Sequence, residues 1–170
     1  MHIYDLTVPQ LVTTLRNLDR WLTAAEAHAH TEQIAVETLM HARLAPDQYV
    51  FVRQVQVASD NAKFIAGRLA GKEWPSHPDT ETTFEQLRAR LASVIGYLDT
   101  FTREDFAEVE ARKVKLPWMK PDQYLSAYDY LVGFGLPNFY FHVVTAYAIL
   151  RHKGVKLGKQ DFIGSLPIQS

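Results

Sequence analysis

Residues Tyr130–Leu150 read YLVGFGLPNFYFHVVTAYAIL, a stretch without a single Asp, Glu, Lys or Arg. About 20 apolar residues can cross a bilayer, so the run admits either a membrane helix or the central helix of a soluble bundle. Gly133, Gly135 and Pro137 interrupt it, and Asn138 and His142 place polar groups inside it. A helix surrounded by other helices is apolar on all sides, and the second reading accounts better for the run. Pro137 suits a first turn, where amide donors lack partners anyway, and Gly154 supplies a stop. The stretch therefore predicts a long helix through Phe139, Val143, Ala146 and Leu150.

Working outward, three more long helices are needed to surround it. Thr7 and Gln10 match a capping box with Pro9 in the first turn, and Val8, Leu11, Leu15, Leu18, Leu22 and Ala25 recur at spacings of three and four. A second helix opens near Asp47, carries Phe51, Val55, Ala58, Ala62, Ile65 and Leu69 on one face, and stops at Gly71. After the loop GKEWPSHPDT, Thr82 and Glu85 offer another capping box, and Phe84, Leu87, Leu91, Val94, Leu98 and Phe101 form the third stripe. Asp105–Lys113 suggests a short helix. VKLPWMKPD then reads as an irregular connection long enough to cross the bundle. The tail Val155–Ser170, with Gly158, Gly164 and Pro167, reads as a cover on one end. The sum is an all-α four-helix bundle with a long crossover connection and a short C-terminal cover, one domain over residues 1–170.

Composition narrows the function classes. The chain has 170 residues, enough for one well-buried core. It has no cysteine, which excludes disulfides, thiolate zinc sites and cysteine nucleophiles and makes the cytoplasm the expected compartment. Its 18 Lys and Arg are interspersed with 19 Asp and Glu, leaving no basic stripe for nucleic acid. MHIYDLTVPQ lacks the charged and apolar regions of an export signal. Neither nucleic acid nor a membrane is an expected partner.

Asn138 and His142 are one turn apart on the fourth helix, with side chains stacked about 6 Å from each other. An imidazole binds zinc, iron, nickel or copper, whereas a carboxamide oxygen is a weak, neutral ligand, so the pair is half a metal site. The other reading is a core histidine satisfied by hydrogen bonds, with Asn138 helping to start its helix. Gln54 borders the second helix's stripe within reach of His142, and Asn61 falls on nearly the same side. Arg53 and Asp60 fall on flanking faces, as solvated or paired surface. The di-iron Glu-x-x-His pair, dinucleotide turn, P-loop and G-x-S-x-G elbow are all missing from the sequence. His28 and His30 diverge around their helix and cannot share an ion. Tyr124, Tyr128, Tyr130, Tyr140 and Tyr147 are candidates for either a pocket lining or packing.

LPNFYFHVVTAYAILRHKGVKLGKQDFIG resembles the signature end of an uncharacterised family, the domain-of-unknown-function family numbered nineteen-ninety-three. TVPQLVTTLRNLDRWLTAAEAHA, ARLAPDQYVFVRQVQVASDNAK, AGRLAG and DTETTFEQLRARLASVIGYLD resemble it too, so the likeness spans nearly the whole chain. That family is similar to the DinB/YfiT-like superfamily of four-helix proteins. Many of these bind a divalent metal through three histidines, and they include thiol S-transferases and maleylpyruvate-isomerase-like enzymes. The resemblance sets the superfamily's Leu-Arg dipeptide on Leu150-Arg151. Its two histidines on the last helix then fall on Asn138 and His142, and its histidine on the second helix falls near Gln54. Two of three ligands are thus replaced by neutral amides.

The resemblance implies a degenerate metal-site pocket at Gln54, Asn138 and His142, serving small-ligand binding or no catalysis. A metal- or thiol-dependent transferase or isomerase is the alternative, with His142 as metal ligand or general base and zinc, nickel or manganese as the possible metal. A dimeric interaction module is a third. A homodimer is the expected assembly, with Trp21 and Trp118 as candidate anchors.

Overall fold

The computed structural model describes residues 2–166 and residue 168. In chain order the elements are α1 (Ile3–Thr31), α2 (Val36–Met40), α3 (Phe51–Ala70) and α4 (Phe84–Leu98), then two 3-10 turns (Arg103–Phe106 and Val109–Ala111). There follow β1 (Lys113–Val114), β2 (Leu125–Ser126), α5 (Ala127–Tyr130), a wide π turn (Leu131–Gly135), α6 (Leu136–His152) and α7 (Lys159–Ile163). α1, α3, α4 and α6 are the four walls. Their stripes bury Leu11, Leu15, Leu18 and Leu22, Phe51, Val55, Ala62 and Ile65, Leu87, Leu91 and Val94, and Phe139, Val143 and Ala146 completely. This is the dominant stabilising term, at roughly 25 cal/mol per Å² of apolar surface removed from water.

The central helix is α3, which packs against α1, α4 and α6. The uncharged helix is not surrounded as its composition suggested. α6 buries Phe139, His142, Val143, Ala146, Ile149 and Leu150 but leaves Phe141 and Val144 about half exposed. No helix among the described residues is long and apolar enough to cross a membrane.

Helix boundaries depart from their local signals wherever packing overrides capping. α1 starts a turn before Thr7, with His2 as N-cap accepting from the Tyr4 amide. The Thr7 hydroxyl instead donates to the Ile3 carbonyl at 2.8 Å, and Pro9 lies inside the helix. Ile3 and Tyr4 pack on the core, Tyr4 against Phe106, which offsets the hydrogen bond Pro9 cannot make. α3 begins at Phe51 rather than near Asp47, because Val50 is extended and the Phe51 amide donates to the Ala42 carbonyl. The capping box of α4 is Thr83 with Gln86, one residue after the expected pair, and it delivers Phe84 into the core. α2 carries no signal that the spacing argument used, though Leu39 and Met40 are buried.

The expected short helix at Asp105–Lys113 is replaced by the 3-10 turns and β1. β1 pairs antiparallel with β2, Lys113 opposite Ser126 and Val114 opposite Leu125, and this tie closes the crossover. The cover is α7, docked on α1: Asn17 donates to the Phe162 carbonyl and the Trp21 indole to the Asp161 carbonyl, each at 3.0 Å. Trp21 is buried there and offers no surface anchor, whereas Trp118 is exposed. Pro167 and the last two residues of the expected cover lie outside the described residues.

Candidate functional site

α3 and α6 lie side by side, which brings Gln54 and His142 together across 88 positions of sequence. Nδ1 of His142 is 2.7 Å from Oε1 of Gln54. The orientation of that amide is fixed at its other end, where Nε2 of Gln54 donates to the Tyr49 carbonyl at 3.1 Å. Oε1 can only accept, so His142 carries its proton on Nδ1 and leaves Nε2 with a free lone pair. Nε2 has no protein partner among the described residues and is not sealed from solvent.

Two aromatic rings flank this imidazole. Tyr49 stacks on it with ring centroids 6.4 Å apart and planes inclined by 17°, and Phe141 meets it edge-on at 5.1 Å. Both rings are more than half exposed while His142 is buried. Burial first, and the Arg53 guanidinium second, push the His142 pKa down to about 4. The ring is therefore neutral at physiological pH.

Asn138 is not part of the same hydrogen-bonded unit. Its Nδ2 donates to Oδ1 of Asn61 at 3.0 Å, and Nδ2 of Asn61 is left buried without an acceptor. The three candidate positions thus divide between two separate pairs, Gln54 with His142 and Asn138 with Asn61.

A network of charges, not anticipated from the sequence, adjoins the site. Arg90 on α4 is buried yet contacts Asp60 at 2.7 Å, Asp79 at 3.0 Å and Glu81 at 3.0 Å. Lys63, also buried, pairs with Asp60 at 2.7 Å and donates to Nδ1 of His77 at 2.9 Å. Arg53 pairs with Asp79, donates to Gln56, and lies over the Tyr49 ring. The loop after α3 is thereby clamped onto α3 and α4 and tied to the aromatic wall of the His142 site. One signal for it was present: Arg90 sits three residues after Leu87 and four before Val94, on the apolar face. The tyrosines line no common pocket. Tyr130 is buried, Tyr124 and Tyr128 are exposed, and Tyr147 packs on Trp21.

The donor set as arranged is a poor fit for a divalent ion. Oε1 of Gln54 is occupied by His142, Gln54 and Asn138 are both neutral amides, and a guanidinium stands close enough to bias the imidazole. Among the described residues no group of three or more His, Cys, Asp or Glu side chains is placed to hold a metal ion.

A family model described as a domain of unknown function, DUF1993, matches residues 3–163. The chain is also similar to a crystal structure, at 1.83 Å resolution, of a DinB family member protein from Shewanella denitrificans. The two are 42% identical with a TM-score of 0.95, over 99% of this chain and 95% of that one. No curated protein matches.

Proposed function

Because this chain belongs to the DUF1993 family of DinB-like helical proteins, we propose that it keeps the superfamily's pocket position but uses it without a metal, as a small-ligand site. The observation that carries this reading is the 2.7 Å contact between Gln54 and His142. The amide in place of one ligand is spent on holding another, and it leaves Nε2 as a hydrogen-bond acceptor between two exposed rings. An N–H or O–H group on a flat, weakly polar ligand suits that setting.

Proton abstraction suits it less. A general base works best with a pKa near the operating pH, and burial holds His142 at about 4. The transferase or isomerase alternative would need His142 to act through a metal or against that shift.

Elemental analysis of untagged protein, purified without chelators, is the test. The expected result is no stoichiometric transition metal. A bound metal that disappears on His142→Ala would overturn the proposal. Turnover of glutathione, bacillithiol or mycothiol substrates above background would favour the enzyme reading.

A second reading, a homodimer, is favoured by one feature. Tyr128, Val132, Pro137, Phe141 and Val144 are all exposed, at successive spacings of four, five, four and three. The spacing of five spans the π turn, whose extra residue keeps the row in line. An uncharged apolar row suits a second copy of itself, since no like charges oppose.

A further inference from the structure

A cleft of about 500 Å³ lies at the far end of α3, roughly 20 Å from Gln54 at 1.5 Å of rise per residue. It is lined by Arg68, Lys72, Trp74, Arg112, Lys113 and Lys115, with Glu73 as the one acidic residue. Lys72 is paired with Asp105 at 2.6 Å. The other four cations have no carboxylate within salt-bridge distance among the described residues. In a chain of formal net charge −1, this is a local excess that the rest of the protein does not balance.

The cations are held in place by means other than ion pairs. Arg68 lies over Phe64, Trp74 and Tyr130 and donates to the Tyr130 hydroxyl at 3.2 Å. Lys113 sits over the Tyr124 ring at 4.4 Å, and Lys115 donates to the Pro121 carbonyl. The Arg112 side chain donates to no protein acceptor among the described residues, and its Nε is buried without a partner. Its guanidinium lies in the space a Cβ at position 71 would fill, 2.1 Å from it at Nη1. Glycine is favoured at position 71 by its φ of +69°, and the missing side chain leaves room for the guanidinium.

The floor is closed in a similar way. A Cβ on Gly67 would lie 2.7 Å from the Trp74 ring and 2.9 Å from both the Lys72 carbonyl and the Tyr97 hydroxyl. The missing side chain lets the indole settle against α3. Tyr97 donates to the Glu73 carbonyl at 2.9 Å. Burial pushes its own pKa up to about 12, so it adds no negative charge to the cleft.

We propose that this cleft binds a small phosphate monoester, its phosphoryl group taken by Arg112, Lys113 and Lys115 and its flat or apolar body packed on Trp74. A phosphate monoester carries close to two negative charges and three acceptor oxygens, which matches several uncommitted donors better than a lone carboxylate. Arginine's planar fork suits such an oxygen pair. The site is separate from the His142 pocket and does not depend on how that pocket is read.

Calorimetric titration of the full chain with phenyl phosphate and with inorganic phosphate, at matched ionic strength, tests this. Phenyl phosphate should bind saturably at one site and more tightly than inorganic phosphate, and Trp74→Ala should remove that difference. Arg112→Gln should weaken binding about tenfold or more, while His142→Ala leaves it unchanged. Lys113 and Lys115 are exposed, so the K113Q/K115Q double variant should keep the wild-type melting profile and still lose about tenfold. Co-sedimentation with phosphatidic acid vesicles, absent with the two variants, would identify a lipid headgroup as the source of the same phosphate. Absence of saturation with both soluble probes and vesicles would overturn the proposal, as would unchanged affinity in Arg112→Gln and in K113Q/K115Q.

Discussion

Gln54 and His142 are joined by one 2.7 Å contact in which the imidazole donates from Nδ1 and the amide accepts. The other end of the amide is bound to the Tyr49 carbonyl, which fixes the oxygen toward the imidazole. Gln54→Leu should leave a buried N–H unpaired and cost about 1–3 kcal/mol in denaturant unfolding. His142→Phe should cost a similar amount by stranding the amide oxygen. The double variant removes both orphans, so its loss should fall short of the summed losses by at least about 0.5 kcal/mol. Strict additivity would show that the contact does not couple them.

If amides at two positions account for the poor metal fit, restoring imidazoles should reverse it. The Gln54→His/Asn138→His variant should acquire close to one equivalent of zinc or nickel by elemental analysis, and wild type should not. Failure of the variant to bind, with its fold intact by circular dichroism, would mean that Arg53 or the backbone geometry excludes the ion.

Stability should fall with acidity in a defined window. His142 has a folded pKa of about 4 against an ordinary 6.5. The unfolded chain therefore takes up the proton first, and the stability held above about pH 6.5 is lost as pH falls toward 4. The full difference corresponds to about 3.4 kcal/mol, which solvent screening of the partly accessible ring reduces to on the order of 2 kcal/mol. His77 acts in the same direction, since burial and then Lys63 lower its pKa. Urea melts at neutral pH and near pH 5 should differ more for wild type than for His142→Gln. Parallel curves for the two proteins would refute the assignment to His142.

Arg90 balances three carboxylates while almost wholly buried. Arg90→Ala strands those charges and should destabilise by about 3–5 kcal/mol, against about 0–1 kcal/mol for Arg16→Ala at the exposed pair with Asp99. Hydrogen exchange should also show the loop after α3 opening in the first variant. A loss under about 1 kcal/mol for Arg90→Ala would place the network in water rather than in the core.

The exposed row on α6 predicts its own assay. Sedimentation of wild type at micromolar concentration should show a dimer, and Phe141→Asp a monomer with an unchanged melting profile. A monomeric wild type would remove the interaction reading.

The four stripes were legible because each buries every third or fourth residue, and that period survives errors in helix ends. Gln54 and His142 were legible for the same reason, lying on facing sides of two such helices. Asn138 was misjoined: one turn from His142 it has a nearer neighbour in Asn61, across the helix contact rather than along the helix. Tyr49 was invisible because its role depends on α3 starting at Phe51. A start near Asp47 would have made it another helical residue. Arg90 could be suspected from its place in the stripe, but its partners arrive from the loop at Asp79 and Glu81, which no periodicity positions.

The π turn at Leu131–Gly135 carries a last consequence. A turn wide enough for one extra residue takes that residue up without rotating the helix beyond it. Losing a single codon there would close the turn to a regular α-helical one and leave His142 facing Gln54, whereas the same loss between Leu136 and His142 would swing the imidazole about 100° away from α3. In comparisons among relatives, a one-residue gap in this turn therefore leaves the same side chains facing the pocket, and a gap further along α6 does not.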